Sequence, residues 1–141
     1  MITSNGSVVS YYDTVYEEMS DILYGTKPKT PLYDETVKEV SIVLFQLGIR
    51  SSLLGYKYLR SAVKMALEDP SSVNLITKIM YPKIAREYFT TPSRVERSIR
   101  TAISSIDIDN PLKRTMFICS SREYPTNKEF IAGVAEYINR K

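Results

Sequence analysis

The chain has 141 residues, 43% hydrophobic and 25% charged, with 19 Lys and Arg against 16 Asp and Glu, the profile of one globular domain able to bury a core. It has no histidine, which excludes Ser-His-Asp and Cys-His nucleophilic sites and His-ligated metals, and its five glycines form neither a phosphate-cradling loop nor a dinucleotide fingerprint. A lone cysteine, no apolar run of membrane-spanning length and the polar start Met-Ile-Thr-Ser-Asn-Gly predict no internal disulfide, no membrane span and no signal peptide, hence a reducing cytoplasm.

Taken in chain order, the pattern is helix after helix. Ser10-x-x-Asp13 reads as a capping box, and Gly25 as a stop. Between them Tyr12, Val15, Tyr16, Met19, Ile22 and Leu23 share one side. Lys27-Pro28-Lys29-Thr30-Pro31 follows as a stiff linker. The charge changes sign here. Residues 1–36 hold six acids and two lysines, a net of −4, so residues 37–141 carry +7 of the chain's +3. We therefore divide the chain into an N-terminal helix with its linker, 1–36, and a basic domain, 37–141, suited to an anionic partner.

Thr36-x-x-Glu39 opens a second helix, with Val37, Val40, Leu44 and Leu47 on one face and Gly48 as its stop. Ser51 or Ser52 caps a third, which runs through Leu53, Tyr56, Leu59, Val63 and Leu67 to Pro70. Ser71-Ser72 caps a fourth, with Leu75, Ile76 and Ile79 inward, leading to Pro82.

Residues 82–100 read as a helix-turn-helix. Ala85 supplies the small residue at the helix crossing, and Val95 and Ile99 anchor the second helix. At 100° per residue, with Val95 at zero, Ile99, Ala102, Ile103 and Ile106 fall within about 80° of it. Arg97 falls at about 200°, with Ser93, Arg94, Arg100, Thr101 and Ser104 around it and Glu96 on the flank. Thr91 is the natural N-cap, and Pro92 suits the first helical position. On these residues alone two readings stand: a basic helix that reads the DNA major groove, or an amphipathic surface helix whose arginines are only solvated.

Beyond Ile106 the periodicity is lost, and residues 107–125 read as a loop. Asp107-Ile-Asp109-Asn110 faintly suggests a calcium loop. Pro111 stands where the loop should continue, the glycine is missing, and Ile118 stands where the closing glutamate belongs. A solvated turn fits better. Cys119 ends the apolar run Met116-Phe117-Ile118-Cys119 as a small buried hydrophobe. Thr126-x-x-Glu129 caps a last helix, with Phe130, Ile131, Val134 and Ile138 as its stripe. The fold class predicted is all-α: a compact multi-helix domain containing a helix-turn-helix, with an extra N-terminal helix.

Several ordered stretches carry a family resemblance: Leu47-Gly48-Ile49, Gly55-Tyr56-Lys57-Tyr58-Leu59-Arg60, residues 76–85 (ITKIMYPKIA), residues 90–100 (TTPSRVERSIR) and Pro125-Thr126-Asn127-x-Glu129-Phe130-Ile131-Ala132. From Val37 onward the chain resembles the C-terminal effector domain of the stage zero sporulation protein A family, a response regulator of spore-forming bacteria. The resemblance implies an all-helical domain that binds a short, asymmetric box of double-stranded DNA, sits in tandem copies or as a homodimer on DNA, and touches RNA polymerase. Carried over by position, the base contacts of recognition helix 92–106 fall on Arg94, Glu96, Arg97 and Arg100. The chemistry agrees, since arginine can take guanine O6 and N7 together and glutamate can accept from a cytosine amino group. Lys78, Lys83, Arg86, Thr91 and Ser93 are placed for backbone phosphates, which position without specifying. No cofactor or metal is implied.

The departures also matter. Thirty-six residues ahead of the domain cannot hold the doubly wound receiver of the family, so DNA binding is expected not to depend on the chain's own phosphorylation. Thr101 stands where the family commonly has histidine, and the 107–125 segment is shorter than its counterpart. The reading is a sequence-specific transcriptional regulator in the bacterial cytoplasm, not an enzyme. The alternative is a receiver-less interaction module that modulates a full-length regulator. An RNA binder fits less well, because no aromatic stacking platform or Gly-rich loop is present.

Overall fold

In a computed structural model, residues 35–117 and 123–140 are described, and the fold is all-α, with no strand among them. The helix expected over 10–24, the double-proline linker and Cys119 lie outside the described residues. The chain divides into two units, Met1–Lys38 and Glu39–Lys141; the description below concerns the second, with the start of its first helix.

Helix α1, Glu35–Gln46, begins one residue before Thr36, so Thr36 lies within it and is not its cap. Val40, Val43, Leu44 and Leu47 repeat at helical spacing and are all buried. Gly48, at φ 82°, ends the helix in the left-handed region that a side chain would resist, and Ile49 N–H closes back on the Leu44 carbonyl at 3.1 Å.

Helix α2, Leu54–Glu68, starts later than expected. Leu53, not Ser51 or Ser52, occupies the capping position, and no side chain caps it. Its buried stripe is Gly55, Tyr58, Leu59, Ala62, Val63 and Ala66. Gly55 matters most. A methyl group there would collide with the Ser98 carbonyl oxygen and stand 2.7 Å from Ala102 Cβ, so glycine lets α2 cross the helix that holds Ser98 and Ala102 at backbone contact.

The fourth helix expected from Ser71-Ser72 is replaced by three shorter pieces. Asp69, not a serine, is the cap: its carboxylate accepts from Ser71 N–H at 3.1 Å and Ser71 Oγ at 2.7 Å. Pro70–Leu75 is a 3₁₀ segment, Ile76–Met80 a π turn, and α3 runs Tyr81–Glu87. Pro82 cannot donate to the Lys78 carbonyl, so the α ladder fails there, and Tyr81 N–H bonds to Ile76 instead, five residues back. That extra residue rotates the face. Leu75 and Ile79, expected inward, are 43% and 51% exposed, while Met80, Tyr81, Ile84 and Ala85 go into the core.

Helix α4, Pro92–Ser104, carries the apolar stripe of the second helix of the helix-turn-helix and ends two residues before the expected Ile106. The segment expected as a loop holds α5, Pro111–Met116, which Asn110 caps by accepting from Lys113 N–H at 3.0 Å. Six residues are too few to show a helical period, so only the cap marks it. Its Lys113 is buried, with the ammonium 4.6 Å from the centroid of Tyr124, whose hydroxyl donates to the Ile106 carbonyl at 3.0 Å. Helix α6, Asn127–Asn139, opens with the reciprocal box read from the sequence: Thr126 Oγ1 accepts from Glu129 N–H, and Glu129 Oε1 from Thr126 N–H. Phe117 stacks on Phe130 at 5.7 Å and occupies the space a side chain at Gly133 would fill.

One core joins these helices, with Leu44, Leu59, Ile84, Ile99, Phe130 and Ile131 among its fully buried members. Each contributes about 1.5–3 kcal/mol by leaving water. Helix α4 packs on α2, α3 and α6, so three neighbours fix its pose.

Candidate nucleic-acid interface

The turn between α3 and α4 is a Schellman-type cap. Thr90 N–H reaches the Ala85 carbonyl at 2.8 Å, and Phe89 N–H the Arg86 carbonyl at 3.5 Å. Phe89 takes the left-handed position at φ 55°, where glycine is usual, and its ring is 96% exposed. Two residues further on, Thr91 is extended and accepts from Arg94 N–H at 3.2 Å, with Pro92 entering the helix, as the sequence predicts. The Thr91 hydroxyl keeps its proton to donate outward.

Tyr88 pins the turn from behind. It meets Tyr58 edge-on at 5.4 Å, its hydroxyl lies 3.3 Å from Ser61 Oγ, and the Lys57 ammonium sits 5.2 Å from its centroid. Burial raises the Tyr88 phenol above its ordinary pKa, against the Ser61 hydrogen bond.

Along α4, Val95, Ile99, Ala102 and Ile103 are buried and Ile106 is buried just beyond the helix end, one residue past Ser105. Arg94, Glu96, Arg97, Arg100, Thr101 and Ser104 are exposed. The three arginines follow at three-residue steps, and Thr101 lies four after Arg97, so one outer face holds them. Glu96 Oε2 stands 3.2 Å from Arg100 Nη2, the one ion pair on this helix among the described residues. Both partners are about half exposed or more, so the pair contributes only about 0.3–0.5 kcal/mol, but it orients the Arg100 guanidinium.

The expected phosphate-contacting residues are also exposed. Thr91 and Ser93 stand at the start of α4, and Lys83 and Arg86 on α3, which packs against it. Lys78 is apart from these, on the π turn ahead of the motif.

Sequence reasoning missed Asn127. Its Nδ2 donates to Tyr81 Oη at 2.9 Å and to the Glu96 carbonyl at 3.1 Å, joining the start of α6 to both helices of the motif. Burial raises the Tyr81 phenol above its ordinary pKa; the Asn127 hydrogen bond and Arg100 oppose this, and the Glu96 charge adds to it. No local pattern announces such an amide, since its partners are 46 and 31 residues away.

A rigid helix, buried on one side and tipped with guanidinium groups on the other, is equipped to meet an electronegative groove. A family model described as sporulation initiation factor Spo0A C terminal matches residues 40–138, a span that contains the whole helix-turn-helix.

Proposed function

The chain belongs to the Spo0A C-terminal family, DNA-binding effector domains of sporulation transcription regulators, and on that premise we propose that it recognises a short duplex sequence with α4 in the major groove. The observation that carries the reading is the division of α4 into a buried stripe, Val95 to Ile103, and an outer face holding Arg94, Arg97 and Arg100. Arg94 and Arg97 take guanine edges. Glu96 and Arg100, already paired, read as one unit, the carboxylate facing a cytosine amino group while it steadies the guanidinium. Lys83, Arg86, Thr91 and Ser93 hold phosphates around this helix, and Lys78 holds one further out.

Regulation follows from the same chemistry. On this reading DNA binding by these 141 residues needs no phosphodonor and is set by concentration or by an interaction through residues 1–36. Tandem copies on adjacent boxes and contact with RNA polymerase, in a bacterial cytoplasm, complete the proposal.

A second reading has one observation in its favour. Phe45 is exposed on α1, with Ile42 one turn before it, and such a surface suits a module that works by pairing with another regulator. Electrophoretic shifts of the full chain on a family-type box and on a scrambled duplex separate the two. Preference for the box supports sequence-specific recognition; equal affinity for both overturns it and leaves the interaction module.

A further inference from the structure

We propose that Asn127 is a positioning residue for the recognition helix: it holds α4 at the rotation and depth from which its arginines read bases. The proposal rests on the reading of α4 as the groove-binding helix.

Three features point to it. First, both hydrogens of one amide nitrogen are spent on the motif, one on the Tyr81 hydroxyl at 2.9 Å and one on the Glu96 carbonyl at 3.1 Å. Tyr81 is the first residue of α3 and Glu96 lies in the first half of α4, so a single side chain references both helices to α6. Second, Asn127 is itself held from behind. The reciprocal box between Thr126 and Glu129 fixes the start of α6, and Phe130 and Ile131 are fully buried in the core. Third, the point of attachment is close to the proposed readers. Glu96 precedes Arg97 directly, and its side chain holds Arg100 at 3.2 Å.

The Glu96 carbonyl has two lone pairs and the helix ladder uses one, so the bond from Asn127 adds a tie without breaking the helix. Its effect is selective. A phosphate contact tolerates small displacement of a flexible lysine, whereas a bidentate contact to a base edge does not. Loosening α4 therefore lowers discrimination before it lowers general affinity.

The test is Asn127→Asp in the full chain. Aspartate keeps the shape and is favoured in the first turn of a helix. It can accept from the Tyr81 hydroxyl, so the tie to α3 survives, but it has no N–H for the Glu96 carbonyl. The expected result is a preference for the specific box over a scrambled duplex about tenfold smaller, beyond the small loss on both duplexes that the added charge brings, and faster amide exchange confined to the first half of α4 without DNA. Asn127→Ala, which introduces no charge, carries the same expectation should the aspartate variant melt early. Tyr81→Phe, which leaves the Glu96 tie in place, retains discrimination. Wild-type discrimination and exchange in a folded Asn127 variant overturn the proposal, and so does equal loss on both duplexes, which marks a general structural role. Wild-type protein that cannot tell the two duplexes apart overturns the functional reading instead, and amide exchange in the DNA-free proteins still decides whether Asn127 holds α4.

Discussion

Arg97 and Lys83 are both exposed cations, and the proposed reading gives them different work. Arg97 stands on the outer face of α4, where a planar fork can meet a guanine edge. Replacing it with alanine is expected to cost about 1–3 kcal/mol on the specific box and to relax sequence preference. Lys83→Ala is expected to weaken every duplex alike and to flatten the salt dependence by about one unit of slope. Filter binding on box and scrambled DNA across a salt series measures both; equal losses for the two variants on both duplexes would remove α4 from the groove. Phe89 is a different kind of residue. At φ 55° a non-glycine side chain costs roughly 1–2 kcal/mol, and a ring 96% exposed recovers almost nothing by burial. Phe89→Gly gives back part of that strain and loses about 0.5–1 kcal/mol to the flexibility of the unfolded chain. The variant is expected to be as stable as wild type or slightly more so in urea unfolding. A clear loss of stability would mean that the ring packs on something.

At the scale of elements, the close approach of α2 and α4 depends on Gly55. Alanine would ordinarily improve a helix interior by about 1 kcal/mol. Here its methyl meets the carbonyl of Ser98, which is backbone and cannot step aside. Gly55→Ala is therefore expected to destabilise by about 1–3 kcal/mol and to shift α4, so that the urea midpoint and specific DNA binding fall together. A midpoint above wild type would show that the helices can separate at no cost. The same contrast explains what could be read beforehand. Helix α4 was legible because its signals are local: Thr91 caps, Pro92 enters, and Val95, Ile99, Ala102, Ile103 and Ile106 keep one phase. The box at Thr126 and Glu129 was legible for the same reason. Leu75 and Ile79 were misread because a single α phase was taken from Ser71 up to Pro82, whereas the backbone there is first 3₁₀ and then a π turn. Helix α5 is too short to have a period. Gly55 and Asn127 act through partners far along the chain, so their roles exist only once the fold has formed.

For the molecule as a whole, the absence of histidine removes the usual titration near neutrality, and two phenols of the motif, Tyr81 and Tyr88, contribute on the alkaline side. Burial raises Tyr81 and Tyr88 above 10.0, while in the unfolded chain both titrate near that value. Below it both states keep the phenolic protons, and the contribution to stability is complete and flat. As pH rises through the ordinary tyrosine value, the unfolded chain loses its protons first. It is then favoured by mass action, and stability falls until the folded-state phenols ionise too. The two residues lie on either side of the recognition motif, Tyr81 beneath Asn127 and Tyr88 behind the turn, so this loss is concentrated where α3 and α4 are held. Urea midpoints measured from pH 8 to pH 11 are expected to decline above about pH 10. The Tyr81→Phe, Tyr88→Phe double variant starts lower at pH 8, because the Asn127 and Ser61 hydrogen bonds are gone, but it declines less steeply, because neither ring can ionise. Parallel decline of the two proteins would place the alkaline transition elsewhere in the chain.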